Sequence, residues 1–215
     1  MRTDRELERY IQDHSNAEDE LLRELDRETH LRVVHPRMLS GHLQGHLLEM
    51  ISRMIRPARI LEIGTYTGYS AICLARGLKT GGRLHTIEIN DELAPMAQSY
   101  FERAGLGGSI IPHTGDALEI IPTLKENFDL VFLDANKRQY PLFYDMILQK
   151  LKAGGFLLAD NVLWGGKVVQ TLNDKQSAGI LEFNEKVKKD PRVSQLILPI
   201  RDGLMLIRKK DEPIL

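Results

Sequence analysis

The chain has 215 residues, 42% of them apolar, enough for one α/β domain with a sizeable core. Lys plus Arg total 29 against 30 for Asp plus Glu, so no global charge draws it to polyanions, although a local basic patch can hide in a balanced total. Cys73 is the sole cysteine, which excludes an internal disulfide or a thiolate metal cluster; within Ala71–Ala75 it reads as a buried, inert thiol.

The opening stretch MRTDRELERY is charged and lacks a signal-peptide core. No apolar run approaches the ~20 residues that span a bilayer, so a cytoplasmic protein with no membrane partner is expected. Residues 1 to about 56 read as helical. Asp4 is placed to cap a first helix, and Ser15 with Glu18 reads as a capping box for a second carrying Leu21, Leu22 and Leu25. Pro36 breaks this run. Ser40-Gly41 then precedes a third helix with Leu43, Leu47, Leu48, Ile51 and Ile55. The default reading of the first two helices is a solvated charged face, with a dimer contact as the alternative.

From Ala58 short apolar runs alternate with helical stretches. The runs are Arg59–Ile63, Leu84–Ile89, Ser109–Pro112, Leu130–Leu133 and Phe156–Ala159, separated by helices at 68–77, 91–104, 116–126 and 138–152. That alternation predicts right-handed crossovers and a parallel sheet covered on both faces. After a helix at 174–189, Ser194–Pro199 and Leu204–Arg208 flank a turn containing Asp202-Gly203 and read as an antiparallel hairpin closing the sheet. One domain, 1–215, is the simplest account.

The first strand runs into Leu61-Glu62-Ile63-Gly64-Thr65-Tyr66-Thr67-Gly68-Tyr69-Ser70, whose glycines let a ligand approach the backbone at a helix start. Paired glycines alone are a weak signal. Glu88 follows Gly68 by 20 residues, at the position where an acid accepts two hydrogen bonds from a ribose diol; a solvated strand-end carboxylate is the plainer alternative. A dinucleotide fingerprint would be G-x-G-x-x-G, whereas Tyr66 stands between these glycines and Glu62 precedes them. A carboxylate there repels a pyrophosphate and suits a sulfonium bearing an amino group, which favours a methyl donor.

The fourth run exits at Asp134-Ala135-Asn136-Lys137 and the fifth at Asp160-Asn161. Both exits lie on the carboxyl side of the sheet, so Asp134, Asp160 and Asn161 offer three hard oxygen donors suited to Mg²⁺, Mn²⁺ or Ca²⁺. Each alone is also an ordinary turn residue. A cation there would lower the pKa of a bound hydroxyl, and Lys137 beside it should shed its own proton and serve as general base. The plain alternative for Lys137 is a solvated lysine at a helix start. His42 and His46 share a helix face without a partner acid and read as packing or surface.

With LEIGTYTGYS at 61–70, TIEIN at 86–90, FDLVFLDANKRQY at 128–140, LLADNVLWGGKV at 157–168 and DPRVSQLILPIRDGL at 190–204, the chain resembles the cation-dependent class I S-adenosylmethionine O-methyltransferases, the caffeoyl-CoA and catechol group with its bacterial branch. The likeness covers roughly residues 36–208. It implies a Rossmann-like, seven-stranded, mostly parallel sheet whose last strand is antiparallel. It implies S-adenosylmethionine as cofactor, contacted by Met38, Ser40, Glu62, Gly64, Tyr66, Ser70, Glu88, Ala117 and Asp134. It also implies a divalent cation on Asp134, Asp160 and Asn161, with Lys137 as the catalytic residue. The expected substrate is a small hydroxylated aromatic of catechol or caffeoyl type, and the expected state a homodimer held partly by the amino-terminal helices. Departures from the catechol branch are Asn136, where that branch has tryptophan, and Leu196, where it has an acid. Arg201 either meets an anionic substrate tail or is a solvated turn residue. The same mechanism also fits a transfer-RNA hydroxyuridine O-methyltransferase, with Arg53, Arg56, Arg59, Lys137, Arg138 and Lys167 gathered at the site mouth. A non-catalytic cofactor-binding module is the remaining alternative.

Overall fold

The computed structural model describes residues 5–170 and 174–211, so the proposed cap Asp4 lies outside the described residues. Three helices lead the chain: α1 (Arg5–Asp13), α2 (Glu20–Arg32) and α3 (Gly41–Ile55). The cap of α2 is Asp19, whose carboxylate accepts the amides of Leu21 and Leu22 at 3.0 and 3.3 Å. The expected Ser15/Glu18 box does not form. Ser15 closes the end of α1 through the Ile11 carbonyl, and Glu18 accepts the Tyr69 hydroxyl at 2.6 Å. An aspartate one residue before the first helical turn reaches two free amides directly, so it displaces the serine as cap.

The alternating part follows as β1 (Arg59–Ile63), α4 (Tyr69–Ala75), β2 (Arg83–Glu88), α5 (Ala94–Arg103), β3 (Ile110–Thr114) and α6 (Ala117–Thr123). It continues with β4 (Phe128–Leu133), α7 (Tyr140–Lys150), β5 (Leu151–Ala159), α8 (Lys175–Lys189), β6 (Val193–Leu198) and β7 (Leu204–Lys209). The seven strands form one sheet in the order β3-β2-β1-β4-β5-β7-β6. All pairs are parallel except those of β7, which runs antiparallel to both β5 and β6. The expected Rossmann-like sheet with a terminal hairpin is therefore observed, with β7 inserted inside β6.

Strand β5 starts five residues earlier than the apolar run suggests. Lys152-Ala153-Gly154-Gly155 hides it, and the pairing with β4 carries a register shift between Phe128 and Leu130. Beyond that shift, side chains of β4 alternate across the sheet. Val131 and Leu133 join the core under α6, α7 and α8, whereas Leu130 and Phe132 join the core under α2 to α5. Burial on both faces is what a parallel sheet requires. Among the described residues no helix is long and apolar enough to cross a membrane.

Register places the site. Ile63 lies beside both Ile87 and Leu133, and Leu133 beside Ala159. The residues that follow these strand ends, Gly64, Glu88, Asp134 and Asp160, therefore stand abreast along one edge. The turn after β4 is set by α8, where a Cβ built at Gly179 would meet the Lys137 carbonyl oxygen at 2.5 Å and the Arg138 Cα at 2.8 Å. Gly179→Ala is expected to cost about 1–3 kcal/mol by overpacking and to displace Lys137. Urea unfolding together with methyl-transfer rate measures both effects.

Candidate active site

Along that edge the strand exits open a cavity of about 970 Å³, large enough for a nucleoside-sized ligand and a second small molecule. The turn after β1 forms its floor. Gly64 and Thr65 both donate to the Ile87 carbonyl, at 2.9 and 3.2 Å. Gly64 has φ +104°, and a Cβ there would sit 2.1 Å from the Asp134 carbonyl oxygen. Only glycine allows both the conformation and the approach. Tyr66 follows at φ +51° and sends its hydroxyl to the His35 carbonyl, 3.0 Å away.

Glu88 at the end of β2 accepts the Tyr66 amide at 2.7 Å on one oxygen and the Asn90 amide at 2.9 Å on the other. Two backbone donors hold this carboxylate flat at the cavity wall, with lone pairs left for a diol. Met38, Ser40, Gly64, Tyr66, Ser70 and Glu88 all line the cavity, as do Ala117, Asp134, Lys137, Asp160 and Asn161.

Glu62 does not line it. It is 0% exposed beneath the turn and accepts the Thr86 hydroxyl at 2.5 Å. Burial pushes its carboxyl up to about 8, against the lowering hydrogen bonds from Ser70 and Thr86. Its place is behind the cofactor turn rather than in the cavity.

At the other half, Asp134 pairs with Lys137 at 2.5 Å, and Lys137 also donates to the Tyr140 hydroxyl at 3.0 Å. Tyr140 in turn meets the backbone carbonyls of Leu133 and Asp160 at 3.0 and 3.1 Å. Burial alone would lower the Lys137 pKa, but the Asp134 carboxylate and the Tyr140 hydroxyl together outweigh it and the net shift is upward. Asp160 is pushed up to about 6, first by burial and then by the negative charge of Asp134.

Two carboxylates that repel each other beside a neutral amide oxygen at Asn161 are the donor chemistry of a hard divalent cation. Among the described residues no cluster of three His, Cys, Asp or Glu side chains gathers, since the third donor here is an amide. The residues fit the ion.

Sequence reasoning missed two residues. Gln44 of α3 is 1% exposed and donates to Asp160 at 2.8 Å, and Tyr140 supports Lys137. A polar residue at a core position of α3 was the available signal for Gln44. Arg201 lines the cavity and is more than a solvated turn residue. One of its nitrogens donates to the carbonyls of Leu39 and Ser40 and to the Gln44 side-chain oxygen. Of the proposed basic cluster only Lys137 lines the cavity. Arg53 is paired with Glu49, Arg59 with Glu126 and Lys167 with Asp174. His42 Nε2 donates to the Asn16 carbonyl at 2.8 Å and its ring stacks on His46, as packing.

The O-methyltransferase family profile matches residues 12–210. The chain belongs to the O-methyltransferase family. It is similar to caffeoyl-CoA O-methyltransferase of Petroselinum crispum, 31% identical over 179 residues that cover 77% of this chain and 74% of that one. Catechol O-methyltransferase of Niastella koreensis is 35% identical over 160 residues, 72% of each chain. Among solved structures, the O-methyltransferase TomG of Streptomyces achromogenes, in complex with SAM, superposes with a TM-score of 0.90 at 32% identity, over 98% of this chain and 99% of that one. The O-methyltransferase of Bacillus cereus with SAH gives a TM-score of 0.89 at 32% identity, over 95% and 97%. This O-methyltransferase is of the S-adenosylmethionine-dependent, caffeoyl-CoA and catechol type.

The raised Glu62 pKa makes stability fall as pH rises. Between the ordinary 4.5 and about 8 the folded protein holds a proton that the unfolded chain has released, so unfolding free energy drops across that window. The glutamine variant Glu62→Gln is expected to flatten this slope. Thermal melts at pH 5, 6.5 and 8 check it; parallel wild-type and variant curves would show that Glu62 is ionised throughout.

Proposed function

We propose that the enzyme methylates one hydroxyl of a small aromatic with vicinal hydroxyls, using a divalent cation held by Asp134, Asp160 and Asn161. The observation that carries this reading is that Lys137 and these three oxygen donors share one cavity with the Gly64–Ser70 turn and Glu88. The adenosyl ribose is taken by Glu88, the adenine by the wall at Ala117, and the amino-acid end by Ser70 and the backbone at Ser40, with Met38 over the methyl. Mg²⁺, Mn²⁺ or Ca²⁺ would supply the positive charge that makes a bound hydroxyl acidic.

Lys137 is the protein's proton acceptor. Its proton is retained by Asp134 and Tyr140; once that carboxylate is engaged elsewhere, burial becomes the larger influence on the ammonium and draws its pKa down. The hydroxyl oxygen then attacks the methyl carbon, the carbon–sulfur bond breaks to leave S-adenosylhomocysteine, and the hydroxyl proton passes to Lys137. Tyr140 keeps the amine aimed through its hydroxyl, which is anchored on two backbone carbonyls. Most of the acceleration is positional, two reactants being held in line within one cavity.

The test offers labelled S-adenosylmethionine and Mg²⁺ with a panel of catechols in one arm and undermodified transfer RNA in another. Label is expected in a catechol, lost on exhaustive chelation with EDTA, and reduced by roughly 10²–10⁴ in Lys137→Ala. Label in transfer RNA alone, or full activity in EDTA, overturns the substrate or the metal respectively.

The amino-terminal helices are proposed to form a homodimer contact. On α3, Leu43, Met50 and Met54 are 51%, 50% and 73% exposed at helical spacing, an apolar stripe opposite the buried Leu48 and Ile51. Met50→Lys with Met54→Lys is expected to convert a dimer to a monomer in light scattering; an unchanged mass would place the contact elsewhere.

A further inference from the structure

We propose that Gln44 is a positioning residue for Asp160, and that Arg201 sets the orientation in which Gln44 works. The inference rests on the metal reading of Asp134, Asp160 and Asn161 given above. Gln44 lies on the buried stripe of α3, beside Leu48, where an apolar side chain would pack at lower cost. Both ends of its amide are spent on one path. Its nitrogen donates to Asp160 Oδ2 at 2.8 Å, and its oxygen accepts Arg201 Nη1 at 3.0 Å.

A guanidinium can only donate, so it dictates that the Gln44 oxygen faces the turn between β6 and β7 and the amide nitrogen faces the carboxylate. The other Asp160 oxygen accepts the Asn161 amide at 2.8 Å. Each oxygen thus carries one fixed donor, which locks the carboxylate plane and leaves the remaining lone pairs to the cavity. The same Arg201 nitrogen also reaches the carbonyls of Leu39 and Ser40. One cation therefore ties the segment over the cofactor end to the donor set at the chemical end.

Supporting groups that orient a ligand typically change metal affinity by roughly tenfold to a hundredfold when removed. The test is Mn²⁺ binding to the full chain, read as the loss of the free-ion signal in electron paramagnetic resonance, with no turnover involved. Gln44→Met, close in shape but without the amide, is expected to weaken Mn²⁺ by at least tenfold and to alter the bound-ion spectrum. Its melting temperature and its affinity for S-adenosylhomocysteine in metal-free buffer should stay near wild type, which separates positioning from misfolding.

Arg201→Met should weaken Mn²⁺ less, and the double variant should be no worse than Gln44→Met alone, because the two act in series. Equal Mn²⁺ affinity in wild type and Gln44→Met overturns the positioning role while leaving the metal reading intact. Additive losses in the double variant overturn the Arg201 step. No Mn²⁺ binding by wild type overturns both readings, and is told apart because it shows before any substitution.

Discussion

The structure turns on the contact between two strand exits, where the backbone of Gly64 lies against the carbonyl of Asp134 with no room for a methyl group. Strands β1 and β4 are neighbours in the sheet, so their ends are brought together by the pairing of Ile63 with Leu133. The first exit carries the turn proposed to hold the methyl donor, and the second carries Asp134 and Lys137. A parallel sheet whose register aligns these ends sets the separation of donor and acceptor before any ligand arrives. This is the general reason ligands gather at the carboxyl edge of open α/β sheets.

Charge gives the site its second property. The Asp134 carboxylate adds to the burial that raises the pKa of both Glu62 and Asp160, and Lys137 pairs with it at the β4 exit. Such a set is costly to bury, and each positive partner relieves part of that cost. A cation at Asp134 and Asp160 and a cofactor carrying an ammonium and a sulfonium both meet this condition. Binding free energy and relief of buried repulsion are then the same quantity, so the site favours its ligands partly by being unfavourable alone.

Much of this was legible in the sequence because the signals are local. Strand periodicity, the glycines at 64 and 68, and acids directly after apolar runs gave the sheet and placed Glu88, Asp134, Lys137, Asp160 and Asn161 on one edge. What was not legible depends on partners far apart in the chain. Gln44 and Asp160 are separated by 116 positions and Arg201 and Gln44 by 157, so no window reveals that a core amide and a turn arginine act together. Glu62 was assigned to the cofactor from its motif, yet its side chain alternates to the inside of the strand and is shut behind Thr86. The Lys137–Asp134 salt bridge, three positions apart, was not foreseen because the sequence does not show which side chain the ammonium turns to. The start of β5 was missed because Gly154-Gly155 carries no side chains with which to show a strand period.

The segment between α2 and α3 shows how these distant contacts serve the cavity. Its residues Val33, His35, Arg37, Met38, Leu39 and Ser40 line the cavity, and a short turn at Pro36–Met38 gives it local structure. Its position comes from outside: Tyr66 of the cofactor turn holds the His35 carbonyl at one end, and Arg201 holds those of Leu39 and Ser40 at the other. Tyr66 can do this because the turn forces it to positive φ, and Arg201, also at positive φ, because the hairpin turn projects it back over α3. Two backbone conformations that are costly for residues with side chains are thus sustained by the contacts they make possible. This wall of the cavity is in this way held by the turn after β1 and by the last hairpin, so its geometry depends on both halves of the sheet at once.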